Sequence, residues 1–161
     1  HEIIDDKVDP FDEILLSRYD ERVEEMDLSI RELITIASLV EEETRAPGER
    51  KRVAGVVYNR LAIGMKLGFD STIQYLLGEP KERVLYADLE IDSPYNTYMY
   101  AGLPPGPISS PGKECILAAL YPEETDYLYF VLKEYGSVEH HFAVTAEEFY
   151  RYKDAYIKTL P

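Results

Sequence analysis

The chain has 161 residues, 45% of them hydrophobic, which fits one globular domain and excludes disordered, collagen-like and low-complexity classes. Its 17 basic and 31 acidic side chains leave a net charge of −14, and a surface that acidic repels phosphate backbones and anionic lipid. The lone cysteine, Cys115, rules out an internal disulfide and a Cys-rich zinc site, and His1, His140 and His141 have no i, i+4 spacing.

Residues 9–26 carry a helical pattern with Phe11, Ile14, Leu15 and Tyr19 on the inward face. A second helix is expected over 29–45: Ser29 caps, Glu32 completes a capping box, and Leu28 with Leu33 forms a hydrophobic staple. A third follows over 49–62, with Val53, Val56, Val57 and Leu61 inward and Gly64 as its stop. Asp70 reads as the N-cap of a short helix over 71–77 that Gly78 closes. Residues 79–112 form a long loop rich in Tyr, Pro and Gly, and loops of that length in compact domains are usually functional. Ser110-Pro111 opens a helix to Leu120, and 127–133 with 139–144 form a hairpin around Gly136. Thr145 with Glu148 is a second capping box, opening a last helix to about Lys158. The sum is an α+β fold, helix-dominant, with a small antiparallel sheet late in the chain.

The helix over 29–45 ends in Glu41-Glu42-Glu43. At about 100° per residue, Ile30, Leu33, Ile34, Ile36, Ala37, Leu39 and Val40 share one broad arc, while Arg31, Thr35 and Ser38 share the opposite face. Glu42 projects into that polar face. Glu41 falls within the arc between Ile34 and Ala37, and Glu43 falls near its other margin between Ile36 and Leu39. A carboxylate on an apolar face must be paired or protonated, and desolvation raises its pKa toward what a general acid at neutral pH needs. The structural alternative pairs Glu41 with Arg45 or Arg60. Periodicity leaves both glutamates, and both explanations, open.

The run Ala37-Ser38-Leu39-Val40-Glu41-Glu42-Glu43-Thr44 resembles the A-S-[IL]-[IV]-E-x-E-T motif of the MltG (YceG-like) family. The resemblance continues through Val53–Leu61, Gly64–Leu67, Asp70–Tyr75, Asp92–Tyr98, Gly102–Ile108 and Ser110–Gly112, and on to Tyr127–Val131 and His140–Phe142. It spans roughly 28–158 with several motifs in the family's order, so 28–161 is expected to be the catalytic domain and 1–27 a helical lead-in. Two departures stand out: Gly68, where many members carry Gln, and Ser71, where many carry Pro.

The resemblance implies a lytic transglycosylase that cuts the β-1,4 bond between N-acetylmuramic acid and N-acetylglucosamine inside peptidoglycan strands. The cut uses no water and leaves a 1,6-anhydro-muramyl end. It assigns the essential acid, which then becomes the base, to the first Glu of the motif, Glu41. One carboxyl suffices because the muramyl 6-OH is an internal nucleophile, whereas ordinary glycosidases need a second carboxylate. No metal or organic cofactor is implied. Expected partners are glycan strands and, through the family's associations, peptidoglycan synthases. The expected place is the extracytoplasmic face of the bacterial cytoplasmic membrane, reached through an anchor that this chain does not contain. The rivals are a muramidase-type hydrolase and a non-catalytic peptidoglycan-binding domain.

Glu43, Asp70, Tyr95, Asn96, Tyr98 and His140 are expected to line the substrate cleft: amide and phenol groups suit N-acetyl sugars, and the rings offer faces to pyranoses. Strand alternation sends His140 and His141 to opposite faces, so at most one of them can reach the cleft. Gly102 to Pro107 is read as a rigid wall, and Tyr150, Tyr152 and Tyr156 as packing residues of the last helix.

Overall fold

The computed structural model describes residues 19–79 and 83–161; Phe11, Ile14 and Leu15 lie outside that range. Helix α1 covers Asp20–Glu25. The central helix, α2, covers Ile30–Glu43. Its capping box is complete: Glu32 N–H donates to Ser29 Oγ at 3.0 Å, and Ser29 N–H donates back to Glu32 Oε1 at 2.9 Å. A 3-10 turn at Pro47–Glu49 leads into α3, Arg50–Ala62. Helix α4 covers Asp70–Leu77 and stops at Gly78, whose φ of 76° is left-handed and suits a residue without Cβ. The long loop contains one further 3-10 turn, Tyr86–Glu90. Helix α5 covers Lys113–Leu120, starting two residues later than the Ser-Pro signal indicates, with Gly112 at its N-cap. Strands β1, Tyr129–Leu132, and β2, His140–Ala143, pair antiparallel with Phe130 opposite Phe142. Helix α6, Ala146–Ile157, closes the described chain. Its cap is half a box: Thr145 Oγ1 accepts from Glu148 N–H, but Glu148 reaches back to the Val144 N–H instead of Thr145. The architecture is the expected α+β, helix-dominant one.

Helix α2 is the core of the domain. It packs against α3, α4 and α5, and every residue from Leu33 to Val40 is buried. The expected polar face is therefore not solvated. Thr35 and Ser38 are 1% and 0% exposed, because the Pro104–Ile108 segment lies across them. Ser38 Oγ donates to Thr35 O at 2.7 Å and accepts the Ile108 N–H at 3.0 Å, while Arg31 Nε donates to Pro105 O at 2.7 Å. Their hydroxyls fit a buried position only because each has such a partner. The wall read into Gly102–Pro107 is thus a lid on α2. Gly106 lies so close that a Cβ there would sit 2.8 Å from Arg31 Nη2. Gly55 plays the same part in α3, where a Cβ would come within 2.4 Å of the Glu123 carbonyl oxygen.

Candidate active site

Two residues apart on an α-helix is about 200° of rotation, so Glu41 and Glu43 leave the end of α2 in different directions. Glu41 turns toward α5. Its Oε1 accepts the Gly112 N–H at 2.8 Å, which satisfies a donor at that helix's N-terminus. Buried Cys115 lies beside it, and burial followed by the Glu41 charge pushes the thiol up to about 12. Glu41 is half-buried and makes no ion pair with Arg45 or Arg60.

Glu43 turns the other way. It lines a cleft of about 240 Å³ with Arg60, Gly68, Phe69, Asp70, Tyr98, Phe130 and Phe149. Burial is the main reason its carboxyl is raised from 4.5 to about 7; the Asp70 charge adds to this, while the Ser71 hydroxyl and N–H and the Arg60 charge oppose it. A carboxyl with that value is about half protonated at neutral pH.

The cleft is assembled from distant parts of the sequence. The 67–72 segment and the loop meet through Thr97: Gly68 N–H donates to Thr97 O at 3.0 Å, Phe69 N–H to Thr97 Oγ1 at 2.8 Å, and the Thr72 and Thr97 hydroxyls lie 2.9 Å apart. Gly68 has a φ of +58°, a conformation that favours glycine. Tyr98 Oη donates to Asp70 Oδ1, and burial, followed by this bond, pushes the phenol's pKa up. Asp70 is therefore not the N-cap of α4. Phe69 holds the cap position without a side-chain bond, and the Asp70 carboxylate is turned to the phenol instead. Arg60 closes the opposite wall. Its Nε donates to Leu128 O at 2.6 Å and its Nη1 donates to Leu67 O, tying α3 to the hairpin and to the turn before α4.

Of the expected cleft residues, the structure brings Glu43, Asp70 and Tyr98 together. Asn96, expected to contact substrate, is 0% exposed. Its amide donates to Leu89 O and Ile91 O at 2.8 Å each, and its Oδ1 accepts the Tyr98 N–H at 2.9 Å. It shapes the loop from inside. Tyr95 is half-buried and packs its ring 5.0 Å from that of Tyr75; burial raises its phenol pKa. His140 borders a concavity that also contains Glu43, but its polar atoms are engaged elsewhere. Nδ1 meets Glu49 Oε1 at 2.8 Å and its N–H donates to Glu49 Oε2 at 2.9 Å, both residues buried. His141 lies on the other face, stacked at 4.3 Å on Tyr152 of α6, as alternation requires.

Arg60 joins the cleft and Ser71 lines the adjoining groove, although neither was in the predicted set. The signal for Arg60 was present: with Val53, Val56 and Val57 it completes an i, i+3, i+4, i+7 apolar stripe, the same anomaly that singled out Glu41 and Glu43. Ser71 had no such signal. Beyond the cleft, a groove of about 660 Å³ runs past Glu42, Arg45, Ser71, Gln74 and Tyr75. A second concavity, of about 480 Å³, runs past Glu42, Glu43 and Arg45 to the hairpin. The end of α2 thus stands between two open depressions, a layout suited to an extended ligand. Among the described residues no group of His, Cys, Asp and Glu side chains is arranged to hold a metal ion.

A helical domain with a carboxyl-bearing cleft at the end of its core helix is a recognisable class. The YceG-like family model matches residues 1–155, and the chain belongs to that family. It is 46% identical over 141 residues to an endolytic murein transglycosylase of Bacillus subtilis, covering 88% of this chain and 39% of that protein. It is 41% identical over 121 residues to an endolytic murein transglycosylase of Streptococcus pneumoniae, covering 72% and 22% respectively. The crystal structure of a YceG-like protein from Listeria monocytogenes superposes with a TM-score of 0.81 at 43% identity, covering 86% of this chain and 45% of that one. The chain therefore spans less than half the length of these relatives.

Proposed function

We propose that this domain is a lytic transglycosylase that cleaves peptidoglycan strands internally, with Glu41 as the single acid–base group. The observation that carries the reading is the Glu41-Glu42-Glu43-Thr44 motif, whose first carboxyl stands half-buried at the end of α2 with its Oε1 held by the Gly112 N–H. Relatives named as endolytic murein transglycosylases supply the substrate class. In the reaction, protonated Glu41 gives its proton to the oxygen joining muramyl C1 to the next sugar, and the C1–O bond breaks as oxocarbenium character develops. The Glu41 carboxylate then takes the proton of the muramyl 6-OH as O6 bonds to C1. This closes a 1,6-anhydro ring within one sugar and returns Glu41 to its starting state. No water is consumed.

Glu41 is the residue the motif resemblance selects, and the Gly112 N–H orients its carboxyl between α2 and α5. Glu43, whose carboxyl burial raises to about 7, is the alternative acid. One observation favours a second reaction: Asp70, a second carboxylate, shares the cleft with Glu43, as a hydrolase would require. Mass spectrometry of purified peptidoglycan digested by the protein separates the two. Internal fragments ending in 1,6-anhydro-muramyl groups support the transglycosylase; reducing ends support the hydrolase. The substrate puts the protein's working place outside the cytoplasmic membrane, next to the synthases that extend the strands. No helix of the described residues is long and apolar enough to cross that membrane.

A further inference from the structure

The first turn of α5 offers Glu41 two donors. One is the Gly112 N–H, 2.8 Å from Oε1. The other is the Cys115 thiol, which donates an S–H hydrogen bond to the same carboxyl. The turn that carries both is closed by its own backbone, with Gly112 O accepting the Cys115 N–H at 3.1 Å and the Ile116 N–H at 3.2 Å. Cys115 is 1% exposed and lies in the main apolar core. A thiol can be buried there without any polar partner, yet this one faces the carboxyl. Burial first, and then the Glu41 charge, push its pKa up to about 12, with Arg50 of α3 opposing and Glu114 of the same turn adding to the rise. At neutral pH the thiol therefore keeps its proton, and it acts as a donor without competing as a base or nucleophile.

We propose that Cys115 is a positioning residue for the acid–base cycle: its S–H and the Gly112 N–H together fix the plane of the Glu41 carboxyl, so that one orientation serves both proton transfers. The inference rests on the role given to Glu41 above. A carboxyl held at Oε1 alone can still turn about that contact. A second donor removes the turn and aims the acid. That aim matters because the glycosidic oxygen and the 6-OH belong to one muramyl sugar and are met in succession by one group. Both donors also face the charge that Glu41 carries between the two transfers, and both are in place before it develops.

The chain has one cysteine, so its S–H stretch is the only one in the Raman spectrum. Removing the acceptor in Glu41→Ala should move that band to higher frequency, and Glu41→Gln, which keeps a weaker acceptor, should move it less in the same direction. Circular dichroism confirms that each variant is folded. Initial rates of anhydro-product formation then compare the parent with Cys115→Ser and Cys115→Ala. The kcat of Cys115→Ala should fall about 3- to 10-fold, the worth of one hydrogen bond, with KM unchanged. Cys115→Ser keeps a donor in the same place and should retain most of the rate. A cysteine that only fills the core gives the opposite order, because serine would then bury an unpaired hydroxyl. A band that does not move in either Glu41 variant, or a Cys115→Ser slower than Cys115→Ala, overturns the proposal. The Raman shift does not depend on turnover. Parent protein that forms no anhydro product therefore counts against the transglycosylase reading, and the band still decides whether Cys115 holds Glu41.

Discussion

Replacing Glu43 by Gln is expected to change stability in a strongly pH-dependent way. The carboxyl takes up its proton at about 7 in the folded protein against an ordinary value of 4.5, a difference that corresponds to about 3 kcal/mol. Because the folded-state value is the higher one, the unfolded chain loses this proton first as pH rises. Between about pH 4.5 and 7 the folded protein holds the proton that the unfolded chain has released, so this group's contribution to stability falls through that window. Below the window both states are protonated and Gln is a near-isosteric neutral substitute. Above it, Gln removes the cost of a buried charge. Urea denaturation of parent and Glu43→Gln at pH 4 and pH 8 measures the effect. The variant should match the parent at pH 4 within about 1 kcal/mol and exceed it by up to about 3 kcal/mol at pH 8. A difference between the two proteins that is the same at both pH values would refute the argument that burial sets the Glu43 proton affinity.

Asn96→Ala should destabilise the domain by about 2–4 kcal/mol, since it leaves two carbonyls and one N–H of the loop without their partner. Thermal unfolding checks this, and wild-type stability in the variant would mean that the loop is shaped by something else. Glu49→Ala should cost about 3 kcal/mol or more, because it strips both hydrogen bonds from buried His140. Native-state hydrogen exchange should then show the His140 amide losing protection; an amide that exchanges as slowly as in the parent contradicts the anchoring role.

Local signals in the sequence carried much of the fold. The capping box at Ser29 and Glu32, the stop at Gly78 and the alternation at His140 and His141 are all decided within a few residues, and each holds in three dimensions. What was not legible is decided at long range. Asp70 has the right type and place for an N-cap, yet its carboxylate goes to Tyr98, 28 residues away. Thr35 and Ser38 have the polarity of a solvated face, but the lid at Pro104–Ile108 covers them, and their local bonds let them be buried. The same burial on every side blurs the distinction between Glu41 and Glu43. Periodicity can say that both carboxyls leave an apolar arc, but only the packing of α5 on one side and of α4 with the loop on the other gives them different surroundings. Asn96 and His140 were chosen for chemistry that suits sugars. That chemistry suits buried backbone and carboxylate partners equally well.

The central claim is that Glu41, the first carboxyl of the motif, carries the proton. The most direct measurement compares Glu43→Gln and Glu41→Gln on the same purified glycan strands, following 1,6-anhydro-muramyl products by mass spectrometry and folding by circular dichroism. The account predicts that folded Glu41→Gln forms no anhydro product, while Glu43→Gln still forms it. Full activity in Glu41→Gln, beside a folded and inactive Glu43→Gln, would contradict the assignment and move the acid to Glu43.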